Sequence, residues 1–260
     1  MLNNAGMVPR TNNEPIDGER RGSAERPASG RVDAVIFDWD GVLVDSAKNY
    51  YRAYELVLQE IGITTTPREI YLREGQPTPQ LIATLCAERE IPITDARVKQ
   101  LVERRRQHDV ALGPRVFYAG VLELLRRLRK SGYKLAMVTG SSRQSVKRAL
   151  SPDVERLFHC VITADDVAQP KPDPEPFRRA AELLGVEPAR CLVVENAPYG
   201  VRSARAAGCR VVAICTTLAA EDLGEADWVM KDHQELEALF AKGVWDQAAP
   251  KHKVPPLRPG

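Results

Sequence analysis

Val35-Ile36-Phe37-Asp38-Trp39-Asp40-Gly41-Val42-Leu43-Val44-Asp45 is the stretch on which the reading of this chain turns. Three apolar residues run without a break into two aspartates one residue apart, and Gly41 then permits a sharp turn. A short, unalternating apolar run reads as a strand buried on both faces, the kind that parallel sheets contain. Open parallel sheets bind ligands beyond the carboxyl ends of their strands, where Asp38 and Asp40 would stand. Two carboxylates so close repel each other by roughly 4 kcal/mol at 4 Å in partly screened surroundings, unless a proton or cation intervenes. Taken alone, Asp-x-Asp-Gly is read more simply as an Asx turn before a glycine. The rest of the chain changes that weighting.

Outward from this stretch, similar apolar runs occupy 32–37, 134–138, 160–163, 191–194 and 211–215, each four to six residues long and rich in Val and Ile. Helical spacing fills 120–130, 142–150, 174–184 and 198–207. Strand and helix in alternation predict an α/β fold with a Rossmann-like parallel sheet core. The interval 46–112 breaks the rhythm. Its apolar residues (Tyr50, Tyr54, Val57, Leu58 and Ile61, then Leu81, Ile82 and Leu85, then Leu101 and Val102) follow helical spacing. The expected organisation is a core of 31–45 and 113–241 with an inserted helical cap domain at 46–112. It is flanked by a disordered N-terminal segment at 1–30 and a flexible tail at 242–260.

Composition removes whole classes of function. The 260 residues carry 37 Lys and Arg against 35 Asp and Glu, a formal net charge of +2. No basic face of the kind a nucleic-acid binder needs follows from that balance. The segment 1–30 has four arginines and four acids, and the tail from Lys242 has four basic residues and one acid. The run Glu103-Arg104-Arg105-Arg106 reads as a solvated helix face. No apolar run reaches the roughly 18 residues of a membrane span, and the N-terminus shows no apolar signal region. The five cysteines form no CxxC pair, and three lie in or beside strand-like runs, so reduced thiols in a cytoplasmic protein are expected.

Three more strand ends carry polar residues of complementary kinds. Thr139-Gly140-Ser141-Ser142 offers hydroxyls and amides at the start of a helix, suited to an oxyanion, although Ser141 could equally be a plain helix cap. Lys171 lies in a proline-stiffened loop, Gln169-Pro170-Lys171-Pro172-Asp173-Pro174-Glu175-Pro176, where Asp173 could serve simply as a helix cap. Glu195-Asn196 ends a buried run, and a charge in that place needs a partner. Two aspartates, a hydroxyl cluster, a lysine and an acid–amide pair, each after a strand, together describe a site for a metal ion and a phosphate.

Asp38-Trp39-Asp40-Gly41-Val42-Leu43-Val44-Asp45, Thr139-Gly140-Ser141, Lys171-Pro172-Asp173-Pro174 and Glu195-Asn196 with Gly200 resemble the four motifs of the haloacid dehalogenase (HAD) superfamily over roughly 32–240. The best match is the capped phosphatase and phosphomutase branch. The resemblance implies Asp38 as nucleophile, Asp40 as general acid and base, and Lys171 as the bridge between Asp38 and the phosphoryl group. It further implies Thr139, Gly140 and Ser141 as phosphoryl donors. Mg²⁺ would be held by Asp38, the main-chain carbonyl of Asp40, Glu195 and Asn196. Many relatives have two acids where this chain has Glu195-Asn196, so one negative charge is missing. Asp40 argues against dehalogenase and phosphonatase activity, which in similar proteins proceeds without it.

In the insertion, Leu72-Arg73-Glu74-Gly75-Gln76-Pro77-Thr78-Pro79 corresponds to the segment whose arginine grips the second phosphate in β-phosphoglucomutases. Thr78 stands in that arginine's place, with Arg73 as a nearby substitute, which favours a phosphatase over a mutase. Arg73, Gly75 and Gln76 are therefore the expected substrate contacts of the cap, against the plainer reading of a turn between two helices. The expected substrate is a small phosphorylated metabolite such as phosphoglycolate or a sugar phosphate. No nucleic acid or membrane partner is expected, and the chain would be a monomer or small homo-oligomer. An inactive HAD fold acting as an interaction module is the remaining alternative.

Overall fold

The computed structural model describes residues 30–242. The expected N-terminal segment up to residue 29 and the tail from 243 onward lie outside the described residues. In chain order, β1 (Ala34–Phe37) and β2 (Val44–Asp45) precede four helices: α1 (Ala47–Gln59), α2 (Pro67–Tyr71), α3 (Thr78–Glu88) and α4 (Asp95–Ala111). The chain returns through β3 (Val116–Phe117), α5 (Val121–Lys130), β4 (Lys134–Val138), α6 (Arg143–Ala149), α7 (Pro152–Glu155) and β5 (Cys160–Ile162). It ends with α8 (Glu175–Leu184), β6 (Cys191–Glu195), α9 (Pro198–Ala206), β7 (Arg210–Ile214), β8 (Trp228–Met230) and α10 (His233–Lys242).

Six strands form one sheet in the order β5-β4-β1-β6-β7-β8, with every pairing parallel. The order grows outward from β1 in two directions, first through β4 and β5, then through β6, β7 and β8. That reversal leaves a crevice at the carboxyl end of β1. The strand explains its own unalternating sequence. Val35 and Phe37 face a cluster that includes Leu125 of α5 and Phe240 of α10. Ala34 and Ile36 face the opposite cluster, with Phe177 of α8 and Val201 of α9. Both faces are therefore dry, and every position is apolar.

The helices of 47–111 have a separate apolar cluster, drawn from Tyr54 through Leu101 and including Val57, Leu58, Leu81, Ile82 and Leu85. Thr66 and Thr94 cap α2 and α4, their hydroxyls accepting from the amides of Glu69 and Arg97. The segment leaves and rejoins the core side by side. β2 and β3 pair antiparallel, Val44 opposite Phe117 and Asp45 opposite Val116. Trp39, fully buried, meets Phe117 edge-on with ring centroids 5.5 Å apart.

No disulfide joins the five cysteines. Among the described residues no helix is long and apolar enough to cross a membrane. The three-residue edge strand β8 and the final helix α10 extend the core beyond the last run legible in the sequence. A run as short as Trp-Val-Met carries too little pattern to announce a strand.

Candidate active site

β1, β4 and β6 end together, and their next residues face one cavity of roughly 280 Å³. Asp38 follows β1, with its amide still bonded to the Val194 carbonyl at 3.0 Å, so the register of the sheet places it. Lys171 reaches in from the loop ahead of α8. Its ammonium donates to Asp38 Oδ1 at 2.7 Å, to Glu195 Oε1 at 2.6 Å and to the Val138 carbonyl at 3.5 Å. All three ammonium hydrogens are thereby used. Glu195 is only 1% exposed, and its other oxygen accepts from the Asn196 amide at 3.0 Å. Gly200 makes room for it, because a Cβ there would lie 1.9 Å from Glu195 Oε1.

The hydroxyl cluster closes the same wall. The Ser141 amide donates to Thr139 Oγ1, and the Ser141 hydroxyl donates to Asp40 Oδ2, both at 3.0 Å. Gly140 lines the cavity beside them. Arg115, arriving just before β3, forms an ion pair with Asp40 at 2.9 Å and with Asp109 of α4 at 3.2 Å.

The helical segment supplies the facing wall. Gly75 adopts φ +94° and brings the loop against the core, where a Cβ would lie 3.0 Å from that of Tyr199. Gln76 lines the cavity, with its Oε1 buried and unbonded. Glu74, buried, accepts from Asn196 Nδ2 at 3.1 Å. Arg73 does not join them. Its guanidinium donates to both Glu88 carboxylate oxygens at 2.8 Å and to the Glu69 carbonyl at 2.9 Å, so the expected substrate contact is spent inside the helical segment.

The basic run on α4 divides. Arg106 pairs with Glu103 and Arg104 with Glu60, both at exposed positions. Arg105 instead turns into the cavity, its guanidinium 4.6 Å from the Tyr54 ring centroid and 5.1 Å from that of Tyr50. Its Nε is buried and has no hydrogen-bond partner among the described residues. This corrects the solvated-face reading. The signal lay in the spacing: Arg105 continues the buried stripe of Val98 and Leu101 by one more turn. Glu74 sits beside Gly75 in a loop whose local sequence does not mark it as part of the site. Nothing local marks Arg115 or Asp109.

The electrostatics are unbalanced toward negative charge. Burial above all, then Glu195 and Asp40, push the Asp38 carboxyl up to about 8 despite Lys171. Burial, Asp38, Asp40 and Glu195 likewise push Glu74 well above the usual carboxylate range. Burial works against the Lys171 ammonium, but Asp38 and Glu195 outweigh it and hold its pKa above that of an ordinary lysine. Among the described residues no three His, Cys, Asp or Glu side chains form a metal cage by themselves. Lys171 takes one oxygen each from Asp38 and Glu195. The amide oxygen of Asn196, however, is fully buried and accepts no hydrogen bond from the described residues. A bare oxygen acceptor beside surplus carboxylates fits a hard divalent cation, with Asp38, Glu195, Asn196 and a main-chain carbonyl as its oxygen donors.

Residues 35–214 match the family model for haloacid dehalogenase-like hydrolases. The chain is 31% identical over 203 residues to validoxylamine A 7'-phosphate phosphatase of Streptomyces hygroscopicus subsp. limoneus, covering 78% of this chain and 94% of that protein. It is 29% identical to hexitol phosphatase A of Escherichia coli (strain K12), over 79% of this chain and 94% of the relative. A solved structure of a candidate β-phosphoglucomutase from Bacteroides vulgatus superposes with a TM-score of 0.75 at 27% identity, covering 84% of this chain and 91% of the other. The chain belongs to the haloacid dehalogenase-like hydrolases, in the branch that unites phosphatases with β-phosphoglucomutase-like proteins.

Proposed function

We propose that this phosphoric monoester hydrolase is a Mg²⁺-dependent phosphatase of small sugar or polyol phosphates that works through an aspartyl-phosphate on Asp38. The observation that carries the reading is the buried contact of Lys171 with Asp38 and Glu195 at the strand ends, beside the hydroxyls of Thr139 and Ser141. In this reading 46–112 is a cap domain on a core of 31–45 and 113–241.

Asp38 attacks phosphorus, and the new oxygen–phosphorus bond forms as the ester oxygen departs. Asp40 gives its proton to the departing alcohol. It then takes a proton from water, which attacks phosphorus and releases Asp38 with inorganic phosphate. Lys171 and the amides and hydroxyls of 139–141 bear the charge on the phosphoryl oxygens. Mg²⁺ held by Asp38, the Asp40 carbonyl, Glu195 and Asn196 would neutralise the carboxylates that otherwise repel a phosphate. The wall opposite Asp38 favours a hydroxylated leaving group, since Gln76 Oε1 and Arg105 Nε offer a buried acceptor and donor that none of the described residues uses.

A Mg²⁺-dependent assay on p-nitrophenyl phosphate, comparing the wild type with Asp38→Asn, tests the chemistry. Equal rates would refute it. A panel of sugar, polyol and two-carbon phosphates then tests the substrate class. A sugar phosphomutase is the second reading, favoured by Arg105, whose guanidinium lies over the Tyr50 and Tyr54 rings, forms no ion pair among the described residues and could take a second phosphate. It requires interconversion of glucose 1- and 6-phosphates with a bisphosphate primer.

A further inference from the structure

The Asn196 side chain differs from an acid in a way that matters geometrically. A carboxylate presents oxygen whichever way it turns, whereas an amide must be held with the oxygen outward. Two acceptors hold this one. Asn196 Nδ2 donates to Glu74 Oε2 at 3.1 Å and to Thr217 Oγ1 at 3.2 Å. The Thr217 hydroxyl is itself committed as a donor, to the main-chain carbonyl of Asn196 at 3.3 Å, so a lone pair faces the amide. With both amide hydrogens spent, Oδ1 is left buried and bare. Gly41, at φ +76°, lets the backbone close over the group, and a Cβ there would lie 2.2 Å from Nδ2.

We propose that Glu74 is a positioning residue for the cation site: from the helical segment it fixes the Asn196 amide so that Oδ1 faces the divalent ion. This rests on the proposed Mg²⁺ dependence and adds a residue to it. Outer partners of this kind orient a ligand without touching the metal. Because Glu74 belongs to the loop that Gly75 brings onto the core, cation binding and seating of that loop favour each other reciprocally.

The test is calorimetric titration of the full chain with Mg²⁺ alone, free of substrate. Glu74→Ala is expected to weaken Mg²⁺ binding about tenfold, the usual loss for an outer-sphere partner. Glu74→Gln, whose carbonyl accepts the same amide hydrogen, is expected to restore most of it. In an Asn196→Asp background, Glu74→Ala is expected to cost nothing, because a carboxylate has no end to orient. Glu74→Ala binding Mg²⁺ as tightly as the wild type would overturn the inference alone. So would an equal loss in the Asn196→Asp background, which is what simple damage to the fold would produce. A wild type that binds no Mg²⁺ would overturn the metal reading and this inference with it.

Discussion

The two walls of the cavity are built on different principles. On the sheet side, Asp38, Thr139 and Glu195 stand at the ends of β1, β4 and β6, placed by parallel register and by strands dry on both faces. On the helical side, Glu74, Gln76 and Arg105 come from a loop and a helix whose positions depend on packing among α1 to α4 and on one close approach at Gly75. The sheet wall therefore uses residues that read as motifs, and the helical wall uses residues that look ordinary. In the proposed function, chemistry falls to the first and selection to the second.

The largest effect that would break this division is at Asp38. Asp38→Asn removes the carboxylate proposed as nucleophile, and phosphatase turnover is expected to fall by about 10³-fold or more. Glu195→Ala should be the next most severe. It takes a partner from Lys171 and a ligand from the proposed cation, for an expected loss of about 10²-fold, against about tenfold for Asn196→Ala. Titration of activity to saturating Mg²⁺ checks that order, and comparable residual activity in the two variants would reverse it. Gly200→Ala drives a methyl into the Glu195 carboxylate, and melting should show a loss of about 1–3 kcal/mol together with reduced turnover.

On the helical wall the effects should be smaller and of another kind. Arg105→Ala is expected to raise KM about tenfold with little change in kcat, the signature of lost uniform binding. A matching fall in kcat would move Arg105 to the chemical side of the comparison. Arg73→Ala should leave both constants unchanged and cost at most about 1 kcal/mol of stability, because its partner Glu88 is 43% exposed.

The same division explains what could be read beforehand. Lys134–Val138 and the other central strands announced themselves because burial on both faces leaves little room for polar residues. Asp38, Lys171, Glu195 and Asn196 were legible because each stands directly after such a run or in a proline-bounded loop. Arg73 stands near the expected arginine position in sequence, but Glu88, fifteen residues on, captures it. Arg105 is hidden within a charged run, although helical spacing from Leu101 points it inward. Arg115, which also pairs with Asp109, meets Asp40 only through the return of the chain to the core, a long-range event that no local pattern encodes.

The β2–β3 ribbon has an architectural consequence. Since the excursion of helices starts and finishes at adjacent rungs of one two-stranded ladder, the sheet experiences it as a single short doorway, however many residues lie beyond. Exchanging that excursion for another of different length or composition would leave the spacing of the sheet's strands untouched. On the proposed reading, selectivity could then be replaced like a cartridge while the reactive edge stays in register.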